Sequence, residues 1–179
     1  MTARTSKSLR FTRGVRQTDF TPSKGNALQA CIASILGLDL EDVPNFIASE
    51  GDLYDALRSF LATKGLGFIK IPLDEEGCVP FAPGAANVRC VLAGQSPRGA
   101  HKHVVVAEIA SSSTTPVPVF DPHPSEQFLS SFIWVGLFVI LTPDDYTKKL
   151  SQDDRGRVIA VHPPESPSVE GVAAAEELT

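Results

Sequence analysis

The sequence of 179 residues predicts an α+β domain in which N-terminal helices pack on a mostly antiparallel sheet. Between residues 26 and 65, apolar residues recur at helical spacing. From residue 67 to residue 141 they occur instead in short runs, which glycine, proline and polar residues separate. Helices followed by strands indicate an α+β domain rather than alternating βα units.

Two helices are predicted in the first third of the chain. Asn26 is expected to cap the first helix and Gly37 to end it. One face of this helix is apolar and carries Leu28, Cys31, Ile32 and Ile35. After a connector broken by Pro44, Asp52 is expected to cap a second helix that ends at Gly65.

Five apolar runs of strand length follow the helices. The expected strands span residues 68–73, 88–93, 103–109, 117–120 and 134–141. A polar segment at 111–116 separates the third run from the fourth and predicts a hairpin loop. In an antiparallel hairpin the start of the third strand lies close to the end of the fourth.

Composition divides the chain into four parts. They are a basic arm at 1–16, one domain at 17–143, an extension at 144–162 with a possible strand at 157–161, and a disordered acidic tail at 163–179. No apolar stretch follows the basic start, so a secretory leader is not expected. The expected location is cytoplasmic, and an organelle transit peptide, which the basic arm resembles in composition, is the alternative.

Charge and cysteine content exclude several classes of function. A net charge of −5 gives no reason to expect nucleic-acid binding, and the apolar run at 132–141 is too short to span a membrane. The three cysteines form no CxxC pair and no metal-ligand spacing, and their odd number favours a reducing compartment. No cofactor and no metal are expected, and the sequence leaves the oligomeric state open.

Ala27 occupies a position that suits a cysteine nucleophile. A helix N-terminus and a nearby imidazolium both lower the pKa of a thiol, and residue 27 directly follows the expected cap. Its backbone N–H could also bind an oxyanion. Cys31, one turn further along on the apolar face, is the alternative nucleophile, although its position is more typical of a small core residue.

Three further residues could complete a hydrolytic site. His103 begins a predicted strand and could act as a general base, and Asp121 ends the next strand, where it could orient the imidazole. The alternatives are a histidine at a strand edge and an Asp-Pro turn. Gln17 is the candidate oxyanion donor, although an exposed loop glutamine is the simpler interpretation. Gln29 is expected to point elsewhere.

A metal site is the competing interpretation of the histidines. His101 and His103 share one face of the predicted strand, and His123 or Asp121 could supply a third ligand. This set has no recognisable ligand spacing. Without a role in metal binding, His123 is expected at the surface or behind the site.

Two stretches of sequence resemble a group of small bacterial and phage proteins. The first runs from Gln17 to Phe46 and contains Gly-Asn-Ala-Leu-Gln-Ala-Cys-Ile-Ala-Ser-Ile-Leu and Leu-Glu-Asp-Val-Pro-Asn-Phe. The second contains Ser96-Pro-Arg-Gly, His103-Val-Val-Val and Asp121-Pro-His-Pro-Ser. The group is in turn similar to papain-like cysteine peptidases and, more distantly, to the leader-peptide-cleaving domains of bacteriocin exporters.

The resemblance implies a papain-like fold and a Cys-His-Asp triad. The nucleophile falls on Ala27, the base on His103 and the acid on Asp121, with Gln17 as the oxyanion candidate. The chain departs from the group at Ala27, where cysteine is expected, and at Phe120, where the group often has histidine. Either an engineered Cys→Ala change or a natural pseudoenzyme explains the first departure.

The expected function is therefore a cysteine hydrolase of the peptidase, isopeptidase or amidase class. As the sequence stands, alanine at residue 27 makes it inactive. The alternatives are a pseudoenzyme that binds a peptide in the former cleft, and an acyltransferase or ligase using the same thiol. The expected partner is a peptide or protein substrate, with no nucleic acid and no membrane.

Overall fold

The computed structural model of the protein describes residues 14–21 and 23–141. The predicted extension at 144–162 and acidic tail at 163–179 lie outside the described residues, as does the basic arm up to residue 13. Residues 14–16, at the end of that arm, contact the domain, because the Val15 N–H donates to the Ser34 hydroxyl at 2.8 Å. The described fold therefore includes the last three residues of the predicted arm.

The first helix, α1, spans Ala27–Leu36. Asn26 is its N-cap residue, and Gly37 ends it in the left-handed conformation at φ 68°. A short 3-10 turn, Leu40–Asp42, follows in the predicted connector. The bounds of α1 agree with the prediction from sequence.

The second helix, α2, spans Leu53–Ala62. The Asp52 carboxylate accepts from the N–H groups of Tyr54 and Asp55, so the predicted cap is confirmed. The helix ends before Gly65, where the sequence predicted its end. Residues 63–65 form a turn instead, in which the Gly65 N–H donates to the backbone oxygen of Ala62 at 3.0 Å. Gly65 itself has a φ of 71°. None of the described helices is long and apolar enough to cross a membrane.

Five strands form one sheet. They are β1 Leu66–Pro72, β2 Val88–Gln95, β3 Lys102–Ile109, β4 Pro116–Phe120 and β5 Ser131–Ile140. Their order is β1-β5-β2-β3-β4, and each neighbouring pair is antiparallel. The α+β class is therefore confirmed. Pro116 is the first residue of β4 rather than the end of the predicted loop.

Two apolar clusters cover the two faces of this sheet. The first lies under the helices and includes Leu28, Ile32, Phe46, Leu57, Leu61, Phe68, Val91 and Val106. The second lies on the opposite face, since successive strand residues alternate in direction, and includes Val79, Cys90, Leu92, Val105, Ile109 and Val135. The helices therefore cover one face, and Val79 from the segment between β1 and β2 packs on the other.

Gly94 lies where β2 changes register against β5. The register shifts between Ala93 and Gly94, and a Cβ on Gly94 would lie 1.8 Å from the backbone oxygen of Ser131. Such a distance is far inside van der Waals contact, so only glycine fits here. Gly94 is also paired with His103 on β3, which connects this close approach to the candidate site.

Candidate active site

His103 and Asp121 form a buried hydrogen-bonded pair. The Nε2 atom of His103 lies 2.7 Å from Oδ1 of Asp121, and both residues are buried. Antiparallel pairing of β3 with β4 brings them together, because Val106 pairs with Phe120, the residue before Asp121. A carboxylate can only accept a hydrogen bond, so Nε2 is the donor to Asp121 and Nδ1 is the ring nitrogen left to exchange a proton with another group.

The Asp121 carboxylate is held by a shell of donors. Besides His103, the backbone N–H of His123 donates to it at 2.9 Å and that of Phe128 at 2.8 Å. Burial by itself raises the pKa of Asp121. The hydrogen bonds from His103, His123 and Phe128, together with the imidazole charge, outweigh burial and lower this pKa overall. Asp121 is therefore ionised at neutral pH and can orient the imidazole.

Two arginines that were not among the predicted site residues hold the segment around Asp121. Arg98 Nη1 lies 3.4 Å from Asp121 Oδ2 and donates to Ser125 Oγ at 3.0 Å. Arg16 donates to the backbone oxygen of Asp121 at 2.8 Å and forms an ion pair with Glu126. Arg98 lies in the Ser96-Pro-Arg-Gly stretch that carries the resemblance, which was a signal for its importance. No spacing in the sequence indicated a role for Arg16.

Ala27 and His103 line the same cavity, which has a volume of about 380 Å³. Gln17 also contributes to its wall, whereas Asp121 lies behind His103 and is only 1% exposed. The wall combines the first residue of α1, the loop before it and the start of β3. The cavity thus contains the residue at the nucleophile position and the candidate base, and the acid is hydrogen-bonded to that base.

The first turn of α1 has no side-chain cap. Asn26 occupies the predicted cap position, but its Oδ1 accepts from the N–H groups of Thr18 and Asp19, each at 2.9 Å. The expected capping hydrogen bond is therefore absent, because this side chain fixes the preceding loop instead. As a result, the Asn26 side chain does not compete for the backbone N–H groups at the start of α1, where Ala27 lies.

Gln17 is buried rather than exposed in a loop. Its Nε2 donates to the backbone oxygen of Asp19 at 3.1 Å, and its buried Oε1 has no hydrogen-bond partner among the described residues. Because an amide nitrogen has two N–H donors, one remains after the bond to Asp19. The competing Gln29 points elsewhere, as expected, and donates to the oxygens of Leu40 and Val43.

Cys31 is a core residue. Its side chain is fully buried, and its Sγ lies 3.6 Å from the backbone oxygen of Val104. Burial, together with the charge of Asp121, raises the pKa of Cys31 well above its usual value. A thiol that stays protonated is a poor nucleophile, so the geometry does not support the alternative of Cys31 as nucleophile.

The native protein is expected to react with iodoacetamide only at Cys78 at neutral pH. Burial, with a contribution from the charge of Glu108, raises the pKa of Cys90 to about 12, and Cys31 is equally inaccessible. Cys78 is half-buried. Peptide mass spectrometry of the alkylated protein checks this pattern, and urea should expose all three thiols. Rapid modification of Cys31 in the folded protein would contradict the assignment of Cys31 to the core.

Three of the four candidate metal ligands have other side-chain contacts. His103 and Asp121 bond each other, and His123 Nδ1 lies 2.8 Å from the Ser125 hydroxyl. The rings of His103 and His123 are 6.3 Å apart and nearly perpendicular. In residues 14–21 and 23–141, no group of three or more His, Cys, Asp or Glu side chains is placed to hold a metal ion.

His123 lies beside the candidate base rather than at a distant surface. It is half-buried and lines the same cavity as His103. Partial burial and the nearby charge of Arg98 lower the pKa of His123. The residue therefore contributes a largely neutral imidazole to the cavity at neutral pH.

Comparison with known proteins found no similar sequence or structure. No family model, no curated protein and no solved structure matches the chain.

Proposed function

We propose that the protein is a papain-like thiol hydrolase domain, of the peptidase or amide hydrolase class, with alanine at the nucleophile position. The observation that carries this proposal is the buried His103–Asp121 pair beside a cavity that Ala27 also lines. As the chain stands, it binds a substrate in this cavity without cleaving it, because alanine has no nucleophilic atom.

With a cysteine at residue 27, the residues present support a complete acyl-transfer cycle. Nδ1 of His103 takes the thiol proton, and the thiolate attacks the substrate carbonyl. His103 then gives that proton to the leaving amine as the C–N bond breaks and an acyl-enzyme remains. Water next attacks the thioester, with His103 accepting its proton, and releases the acid and the thiol.

Asp121 serves this cycle by charge and orientation. Its ionised carboxylate keeps the proton on Nε2 and stabilises the imidazolium that forms when the thiol ionises. The uncapped N–H groups at the start of α1 and the second N–H of Gln17 are the candidate donors to the oxyanion. One such donor lowers a barrier by about 3 kcal/mol in well-studied hydrolases.

The reactivity of a thiol placed at residue 27 tests this proposal. In a chain that also carries Cys78→Ser, we expect Ala27→Cys to react with iodoacetamide at about pH 6 roughly 10- to 100-fold faster than an ordinary thiol. The reason is that the helix start and the His103 imidazolium lower the thiol pKa. The rate is followed by intact-mass spectrometry over a range of pH.

Ala62→Cys in the same Cys78→Ser chain is the matched control. It makes the same substitution at the exposed last residue of α2, a helix of the same length as α1. Adding His103→Ala to Ala27→Cys should remove most of the rate advantage. Equal rates for Ala27→Cys and Ala62→Cys would overturn the proposed function.

A further inference from the structure

The cavity is basic although the protein is acidic. The whole chain has a net charge of −5, yet among the described residues the cavity wall contains Lys70, Arg98 and Lys102 and no aspartate or glutamate. His101, His103 and His123 line the same wall without adding negative charge. Like charges gathered in a concave site raise the local concentration of ligands of opposite charge. The cavity therefore favours an anionic group.

Arg98 is a built part of this wall. Its side chain is 16% exposed, and Nη1 is occupied by Asp121 and Ser125. Its buried Nη2 has no hydrogen-bond partner among the described residues. Because both protons of Nη1 are in use, Nη2 is the terminal nitrogen that remains to donate to a further anion. The proposed catalytic cycle uses Arg98 only to hold Asp121, so its second nitrogen has no role in that cycle.

The rest of the wall is apolar and aromatic. Phe20 and Ile47 line the cavity and are 54% and 39% exposed. Leu53, Leu57, Tyr54 and Trp134 line it as well. Lys70 lies over the rings of Tyr54 and Trp134, at 5.1 Å and 5.0 Å from their centroids. One wall thus combines aromatic surface with cationic groups. A phosphate on a sugar or nucleotide would use little of the aliphatic surface.

We infer that the substrate carries a carboxylate close to an apolar side chain, and that Arg98 and Lys102 bind this carboxylate. This inference rests on the proposed function, because it specifies the substrate of the same cavity. The carboxylate belongs either to an acidic side chain or to a free C-terminus of the peptide. Both sources present carboxylate oxygens of the same charge to Arg98 Nη2 and Lys102.

Two alkylating reagents of similar size but different charge test the inference. In the Cys78→Ser chain with Ala27→Cys, the rate with iodoacetate is divided by the rate with iodoacetamide. Both reagents form the same C–S bond as iodide leaves, so the ratio reports the preference for a carboxylate. We expect this ratio to be about 10-fold higher than for Ala62→Cys, and to fall in salt.

The imidazolium of His103 would also attract iodoacetate, so its contribution must be removed. In Ala27→Cys with His103→Ala, the ratio should stay above that of Ala62→Cys. It should fall to the control value when Arg98→Gln and Lys102→Gln are added. A ratio that already equals the control without His103, or that is unchanged by the two glutamines, overturns the inference.

This readout separates the two proposals. The absolute rate with iodoacetamide tests the activated thiol, whereas the ratio tests the anionic subsite, and each can fail alone. Two short peptides with the same apolar residues then compete with iodoacetate. One is amidated and contains glutamate, and the other contains glutamine and has a free C-terminus. Protection by one of them identifies the source of the carboxylate, and protection by neither overturns its assignment to a peptide.

Discussion

In the chain carrying Ala27→Cys, replacing His103 with alanine is expected to lower turnover of p-nitrophenyl acetate by about 10²- to 10⁴-fold. His103 both generates the thiolate and activates the water that resolves the acyl-enzyme, so its loss slows two steps. The release of p-nitrophenol separates them, since an initial burst reports acylation and the steady rate reports hydrolysis of the thioester. The unmodified chain, with alanine at residue 27, gives the baseline.

Two further variants keep this result interpretable. His103→Gln retains an N–H donor for the buried Asp121 carboxylate, so it protects the fold while it removes proton transfer. We expect it to lose as much turnover as His103→Ala. Ala62→Cys, without any change at residue 27, should show neither burst nor turnover above the baseline. If His103→Gln kept full turnover, His103 would not be the base.

Replacing Gly94 with alanine is expected to destabilise the domain by at least about 3 kcal/mol. The new methyl would lie 1.8 Å from the backbone oxygen of Ser131, and a backbone atom cannot move aside without separating β2 from β5. Native proteins are stable by only about 5–15 kcal/mol, so a substantial fraction of the chain would unfold or aggregate. Urea unfolding followed by circular dichroism measures the loss.

Gly84→Ala is the matched control for this substitution. Gly84 has a φ of 84°, and nothing lies within 4 Å of a Cβ built there, so alanine adds backbone strain without a collision. We expect it to lower the free energy of unfolding by about 1–2 kcal/mol. A Gly94→Ala variant no less stable than Gly84→Ala would mean that the two strands do not approach as closely as described.

Local structure was largely predictable because it depends on neighbouring residues. The bounds of α1 followed from Asn26 and Gly37, and the cap at Asp52 followed from its position before an apolar face. The α+β class followed from the change of period near residue 67. The end of α2 was placed three residues too late, because Gly65 closes the turn after the helix rather than the helix itself.

Strand order was not predictable, because hydrophobic period does not identify pairing partners. The position of β5 between β1 and β2 has no counterpart in the order of the chain. The proximity of His103 and Asp121 was predictable only because a hairpin connects their strands. Asn26 shows that the hydrogen-bond partner of a side chain is also hard to predict, since an asparagine can cap a helix or bind a nearby loop.

The donors around Asp121 were missed for a similar reason. Arg16 lies 105 residues before the backbone oxygen that it contacts, and Arg98 lies 23 residues before the carboxylate. Nothing in local spacing connects such positions. The simpler interpretation of Gln17 was an exposed loop residue. It is buried, and its backbone N–H donates to the backbone oxygen of Pro122, 105 residues further along the chain.

The place of β5 in the sheet has a consequence for synthesis on the ribosome. A nascent chain that has exposed β1 to β4 still lacks the strand that separates β1 from β2, and both of those strands have an unpaired edge. The α2–β1 unit can join the hairpin that carries His103 only once residue 140 has emerged. The wall of the cavity, which includes Trp134 of β5, is therefore complete only after the last strand of the sheet has been synthesised.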